Sequence, residues 1–285
     1  MGDYIDQSTI RCADAASWPL IHYTAEVIVK RWLVHLPLVV TASAGALLLA
    51  HGPIAQLAHY HEFADQSALR DVPHAADVLS NIGFAAVAAW GMLRWRPMHS
   101  AAGRHGYWLF LAGLLLTAFG SGFYHLAPDN ARLVWDRLPI ALACAGLLAG
   151  VRAECLSKPD SRTDTCLLGV AAVLSVAWWY VTEQRGAGDL RPYLLLQCVP
   201  LVLIPLWQWI YGAPRGDRIA FGGALALYIA AKGAEVADHQ LLAALGVVSG
   251  HTIKHLLATA AAALIVGRLI ARQHDRHQLT ARRNS

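Results

Sequence analysis

The sequence predicts an all-α, polytopic membrane protein: a seven-transmembrane-helix core preceded by one extra N-terminal transmembrane helix. Three observations predict it. Hydrophobic residues make up 56% of the 285 positions and charged residues only 15%, too apolar a balance for a water-soluble domain. The apolar residues fall into runs near the ~20 residues needed to cross hydrocarbon. Lys and Arg are distributed unevenly between alternate connecting segments, as positive-inside topology requires.

In chain order, residues 1–31 are polar and are predicted to form a cytoplasmic segment. The first apolar run, 32–50, follows Lys30 and Arg31 and is long for a cleaved signal, so it reads as an extra anchoring helix. An outer loop, 51–73, follows. The core is predicted over 74–272, with spans at 74–95, 106–127, 132–151, 165–181, 192–212, 219–237 and 247–269, and residues 273–285 form a basic cytoplasmic tail. With the N-terminus inside, sixteen Lys and Arg lie in inside segments, against four (Arg70, Arg132, Arg185, Arg191) outside. That asymmetry places both termini in the cytoplasm, and the even number of spans agrees with it. The chain is thus expected in a plasma or inner membrane as a multi-pass protein. Ten Trp and nine Tyr suit interfacial belts.

Some functions are unsupported. The five cysteines show no CxxC pair, and most sit in apolar runs as packing residues. No phosphate-binding glycine loop and no basic, aromatic-interleaved patch is present, so no nucleotide or nucleic-acid partner is predicted.

The chemistry concentrates in residues 120–140, GSGFYHLAPDNARLVWDRLPI. Ionisable groups inside a span are costly, and their default reading is functional. Ser121 and His125 are four apart and share a helical face. Pro128, Asp129 and Asn130 make a turn, and Asp136 enters the next helix at about the depth of His125. On the predicted topology Asp77, Ser80, Lys232, Glu235, Asp238, His251, Lys254 and His255 also collect in the outer half, which directs the site to the outer face. His251 and His255 form HTIKH, an i, i+4 pair that can chelate one metal ion, ligate haem or simply pack. Adding His125 makes a three-histidine set with an open position, the pattern of catalytic zinc.

Asp136 is then a fourth ligand, a partner of a ligand, or a general base. A salt bridge to Arg137 is disfavoured, because adjacent helical residues diverge by ~100°. Ser121 either donates to an oxyanion or satisfies a backbone carbonyl one turn back. Lys232 and Glu235 should pair, while Lys254 is read as pointing away from the cleft between the histidines, either to join that pair or to snorkel. Asp77 and Ser80 are expected to brace the site or bound its mouth.

DVLSN at 77–81, GSGFYH at 120–125, WDRLPI at 135–140 and SGHTIKH at 249–255 resemble, in order and spacing, the alkaline ceramidases. That family belongs to the seven-helix intramembrane hydrolases that include adiponectin-type receptors. The resemblance covers roughly 74–272 and implies a zinc held by His125, His251 and His255. It implies Asp136 as the base that activates water and Ser121 as the group stabilising the oxyanion. It further implies hydrolysis of a ceramide-like lipid to a sphingoid base and a fatty acid. The acidic calcium-binding segment of eukaryotic members is not matched by YHEFADQSALRDVPHAAD at 60–77, so calcium is not expected. An esterase or lipid-remodelling hydrolase on the same site is the alternative. So is a receptor-like protein with structural zinc.

Overall fold

The computed structural model describes residues 32–96, 101–158 and 161–283, so the predicted cytoplasmic segment 1–31 lies outside the described residues. The fold is all-helical apart from one short antiparallel hairpin, β1 (Ala68–Leu69) and β2 (Val72–Pro73). The helices are α1 (Leu36–His51), α2 (Ala75–Ser80), α3 (Ile82–Arg94), α4 (Arg104–Leu126), α5 (Asn130–Cys155), α6 (Arg162–Gln184), α7 (Arg191–Ile210), α8 (Arg215–Val236), α9 (Asp238–Leu245) and α10 (Gly250–Arg283). Among the described residues seven helices are long and apolar enough to cross a membrane, the first of them formed by α2 and α3 together as Ala75–Arg94.

Two boundaries differ from the sequence expectation. The extra N-terminal helix is shorter than the predicted run 32–50. Trp32 and Leu33 are helical, and a turn at Val34 and His35 interrupts the run. The continuous helix starts at Leu36, with Pro37 in its first turn, and spans 16 residues. At ~1.5 Å per residue that is about 24 Å, less than a ~30 Å hydrocarbon layer. Pro37 has no N–H to continue a helix from the preceding turn, which sets the start. At the other end the helix does not stop at residue 269: α10 continues to Arg283, through most of the predicted tail.

The helices close into a ring. α4 packs most extensively on α5, α3 bridges α4 and α10, α10 packs along α8, and α7 joins α8 to α5. α6 lies against α5 and α7, and α1 against α7. The tight α4–α5 seam has a visible cause. Gly106, Gly113 and Gly120 recur at seven-residue spacing on α4, and a side chain at any of them would collide with the α5 backbone. Small residues on one face let two membrane helices approach closely. At Gly120 the obstacle is the Trp135 carbonyl oxygen. Pro139, inside α5, removes the N–H that would otherwise occupy that carbonyl. This seam fixes Ser121 and His125 of α4 against Asp136 of α5.

Two apolar clusters fill the bundle. One centres on Phe84, Leu111, Leu203, Trp207 and Val266, the other on Phe63, Tyr124, Leu133 and Trp179. Between the helices lies a cavity of about 320 Å³, lined mainly by apolar side chains of α3, α4, α5, α7, α8 and α10.

Candidate metal centre

His125 stands in the last turn of α4, and His251 and His255 stand in the first turns of α10. All three are buried. One ring nitrogen of each lies within 4.8 Å of the others. The ring centroids are 4.7 Å (His125–His251), 5.1 Å (His125–His255) and 4.8 Å (His251–His255) apart. Tetrahedral zinc with bonds of 2.0–2.1 Å needs nitrogens about 3.4 Å apart, so shifts of about 1 Å complete the site. Among the described residues this is the one cluster of three or more His, Cys, Asp or Glu with that geometry. His125 Nδ1 is buried with no hydrogen-bond partner. A buried orphan nitrogen on a ring that packs against two other imidazoles fits a metal ion, since buried polar groups otherwise find partners.

The start of α10 is held by acids. Asp77 Oδ1 accepts from Ser249 Oγ (3.1 Å) and Thr252 Oγ1 (2.5 Å). Ser249 Oγ accepts from the Thr252 amide at 3.0 Å, a side-chain cap on the helix. Asp238 Oδ1 accepts from the His251 amide at 2.7 Å, and its Oδ2 from the Ala64 amide at 2.9 Å. Carboxylates at this terminus satisfy amides that lack intrahelical partners and complement the helix dipole. Gly250 is required here because any side chain would meet the Ala234 carbonyl oxygen. Ser80 Oγ lies 2.8 Å from His255 Nδ1, orienting that ring and leaving Nε2 for the centre. Ser80 and Asp77 therefore brace the site, as the sequence suggested.

Ser121 is buried, one turn before His125, and its side chain hydrogen-bonds Asp136. The backbone alternative expected for a membrane serine is instead taken by Thr117, whose Oγ1 donates to the Gly113 carbonyl at 2.8 Å. Asp136 lines the cavity together with Lys254 and Glu235. No ion pair joins Asp136 to Arg137 among the described residues.

Lys254 requires a correction. It does join Lys232 and Glu235: Glu235 receives Lys232 Nζ at 2.6 Å and Lys254 Nζ at 3.0 Å. But it does not point away from the histidines, since its Nζ lies 2.7 Å from His251 Nε2. The flexible four-carbon stem curls back along α10, and Glu235 on α8 draws the ammonium to that side. A metal ion held by His251 would need this ammonium to withdraw toward Glu235, which already holds it.

The outer loop holds residues that sequence reasoning missed. The ring of Phe63 sits 4.6 Å from His125 and 4.5 Å from His251, roofing the cluster. His61 Nδ1 lies 2.8 Å from Tyr124 Oη and its Nε2 2.9 Å from Asn130 Oδ1, which ties the loop to the α4–α5 turn. Asp65 of the same loop caps α2 through the amides of Ala76 (3.0 Å) and Asp77 (3.3 Å). Burial pushes its carboxyl up, but hydrogen bonds from Ser67, Asp77 and Ala76 outweigh this and hold it below the usual carboxylate range. The only sequence signal for Phe63 was an aromatic residue between His61 and Asp65.

Comparison with family models, curated proteins and solved structures finds no match to this chain.

Proposed function

We propose that this chain is a zinc-dependent intramembrane hydrolase that cleaves the amide bond of a ceramide-like lipid. The observation that carries the reading is the buried cluster of His125, His251 and His255 beside an apolar cavity with an acid at its polar end. The resemblance of four ordered motifs to those of alkaline ceramidases supports the same reading. Zinc on the three imidazoles supplies Lewis acidity toward a water molecule and an amide carbonyl.

The chain's own residues do the rest. The cavity takes the lipid's hydrocarbon chain between Phe84, Phe110, Leu114, Leu147 and Ile265, which removes it from the bilayer and orients the amide toward the polar end. Asp136 accepts the proton of the attacking water and returns it to the leaving nitrogen. Ser121, one turn before His125, holds the Asp136 carboxylate in place and offers its hydroxyl to the oxyanion once Asp136 has taken up the proton. Phe63 excludes bulk water, which strengthens each of these interactions. The Lys and Arg asymmetry supports both termini in the cytoplasm, with the site toward the outer face; cysteine labelling from each side checks this.

The activity test uses purified protein and a panel of ceramides and matched esters. Wild type releases fatty acid from the amides, and Asp136→Asn loses about 10²–10⁴-fold in kcat while keeping its zinc. Full activity in Asp136→Asn removes the base assignment. Cleavage of the esters alone turns the reading to an esterase.

A further inference from the structure

Arg137, next to Asp136 on α5, is 2% exposed and stands within a span. Its guanidinium lies over three rings, 4.0 Å from the Trp179 centroid, 5.1 Å from Tyr60 and 5.3 Å from Tyr193. These rings come from α6, the outer loop and α7, so the cage is assembled by the fold. Among the described residues no carboxylate pairs with Arg137, and its Nε and Nη1 have no hydrogen-bond acceptor. Ring faces attract a cation but offer no acceptor to its N–H groups. A buried guanidinium so held is short of an anion, because buried charges are otherwise paired.

Arg137 also lines the cavity, beside Tyr60, Tyr193 and Gln197. The charges that line it are Arg137, Lys232 and Lys254 against Asp136 and Glu235, and Glu235 is already taken by the two lysines. The sum leaves one positive charge in excess, and among the described residues Arg137 is the one of the three cations without a carboxylate at ion-pair distance. The rest of the wall is mainly apolar, so what neutralises it arrives on an amphiphile.

We propose that Arg137 is an anion-recognition residue, and that the lipid occupying this cavity carries a carboxylate or phosphate near its polar end. Guanidinium is suited to either, because its planar donors match both oxyanions. The inference rests on the cavity being the lipid site of the proposed function, but it concerns binding and needs no turnover. It narrows the substrate class: an acidic amide lipid fits, while a neutral one leaves Arg137 without a counter-charge.

The test is displacement of a fluorescent fatty alcohol from the purified, full-length protein by three competitors of equal chain length: a fatty acid, an alkyl phosphate and a fatty alcohol. We expect at least one anion to bind about tenfold or more tighter than the alcohol. The tighter of the two identifies the head group. Arg137→Gln and the apolar Arg137→Met should bring that anion to within about threefold of the alcohol, leaving the alcohol's own affinity unchanged; either folded variant suffices. Equal binding of all three ligands by wild type overturns the proposal. So does an anion preference that survives in an Arg137 variant, or that vanishes in Lys232→Gln while Arg137→Gln keeps it. A protein that shows the preference but cleaves nothing leaves this inference standing and removes the hydrolase reading; cleavage without the preference does the reverse.

Discussion

The two ends of the bundle treat buried charge in opposite ways. Away from the histidines, Arg268 Nε reaches Asp217 at 2.5 Å, and Arg272 Nη1 reaches Glu154 at 2.6 Å and Asp217 at 3.4 Å. The Tyr107 hydroxyl donates to Glu154 at 2.5 Å. Four helices, α4, α5, α8 and α10, are joined there by acids and bases that satisfy one another. At the histidine end His125 Nδ1 on α4, Asp77 Oδ2 on α2, and Arg137 Nε and Nη1 on α5 have no hydrogen-bond partners. A satisfied network closes a bundle, and residual donor and acceptor capacity marks where something else binds. The first end is a staple and the second is a site.

The largest effect that would sharpen this contrast is at the staple. Glu154→Gln leaves Arg272 short of one partner and Tyr107 without its charged acceptor. It should lower stability by about 2–4 kcal/mol, since breaking a buried pair strands its partner. Zinc content should not change. Denaturation in detergent with parallel metal analysis checks this, and loss of zinc without loss of stability would erase the distinction between the ends.

Next comes Ser80→Ala, which removes the oxygen 2.8 Å from His255 Nδ1. Partners that orient a ligand are worth about 10–100-fold in metal affinity, so zinc should bind that much more weakly with the melting temperature nearly unchanged. A chelator titration reads it. Unaltered affinity would mean that Ser80 does not orient the ligand.

The smallest effect concerns Asp189, outside the spans in the outer loop between α6 and α7 and not part of the site. Its hydrogen bonds from Arg191, then from Trp178 and backbone amides, hold its carboxyl below the ordinary value of 3.8. A depressed carboxyl contributes stability that is present above its unfolded-state value and is lost as pH falls through the folded one. Wild type should therefore lose stability below about pH 4, and Asp189→Asn should flatten that part of the profile. An identical acid limb in both would assign it to other carboxylates.

Much of the architecture was legible in the chain. Apolar runs near the membrane-spanning length mark the seven long helices, and the shared depth of His125, His251 and His255 follows from turn placement and i, i+4 spacing. The glycines at 106, 113 and 120 are a spacing that any helical wheel shows, although their role depends on what α5 places opposite them. The rest was not legible for a physical reason. Phe63 over the histidines, His61 on Tyr124 and the aromatic cage of Arg137 join residues dozens of positions apart, through a loop without periodicity. Lys254 misled because helical phase locates a Cβ, whereas a long flexible side chain goes where its partner is. Pro37 shortened the first helix by a rule that the hydropathy of the run concealed.

Zinc content per chain, measured by elemental analysis after gentle purification of wild type and His255→Ala, tests the central claim most directly. The account predicts close to one zinc per wild-type chain and almost none in a folded His255→Ala. A wild-type protein without zinc, or a variant that keeps the wild-type amount, would contradict it.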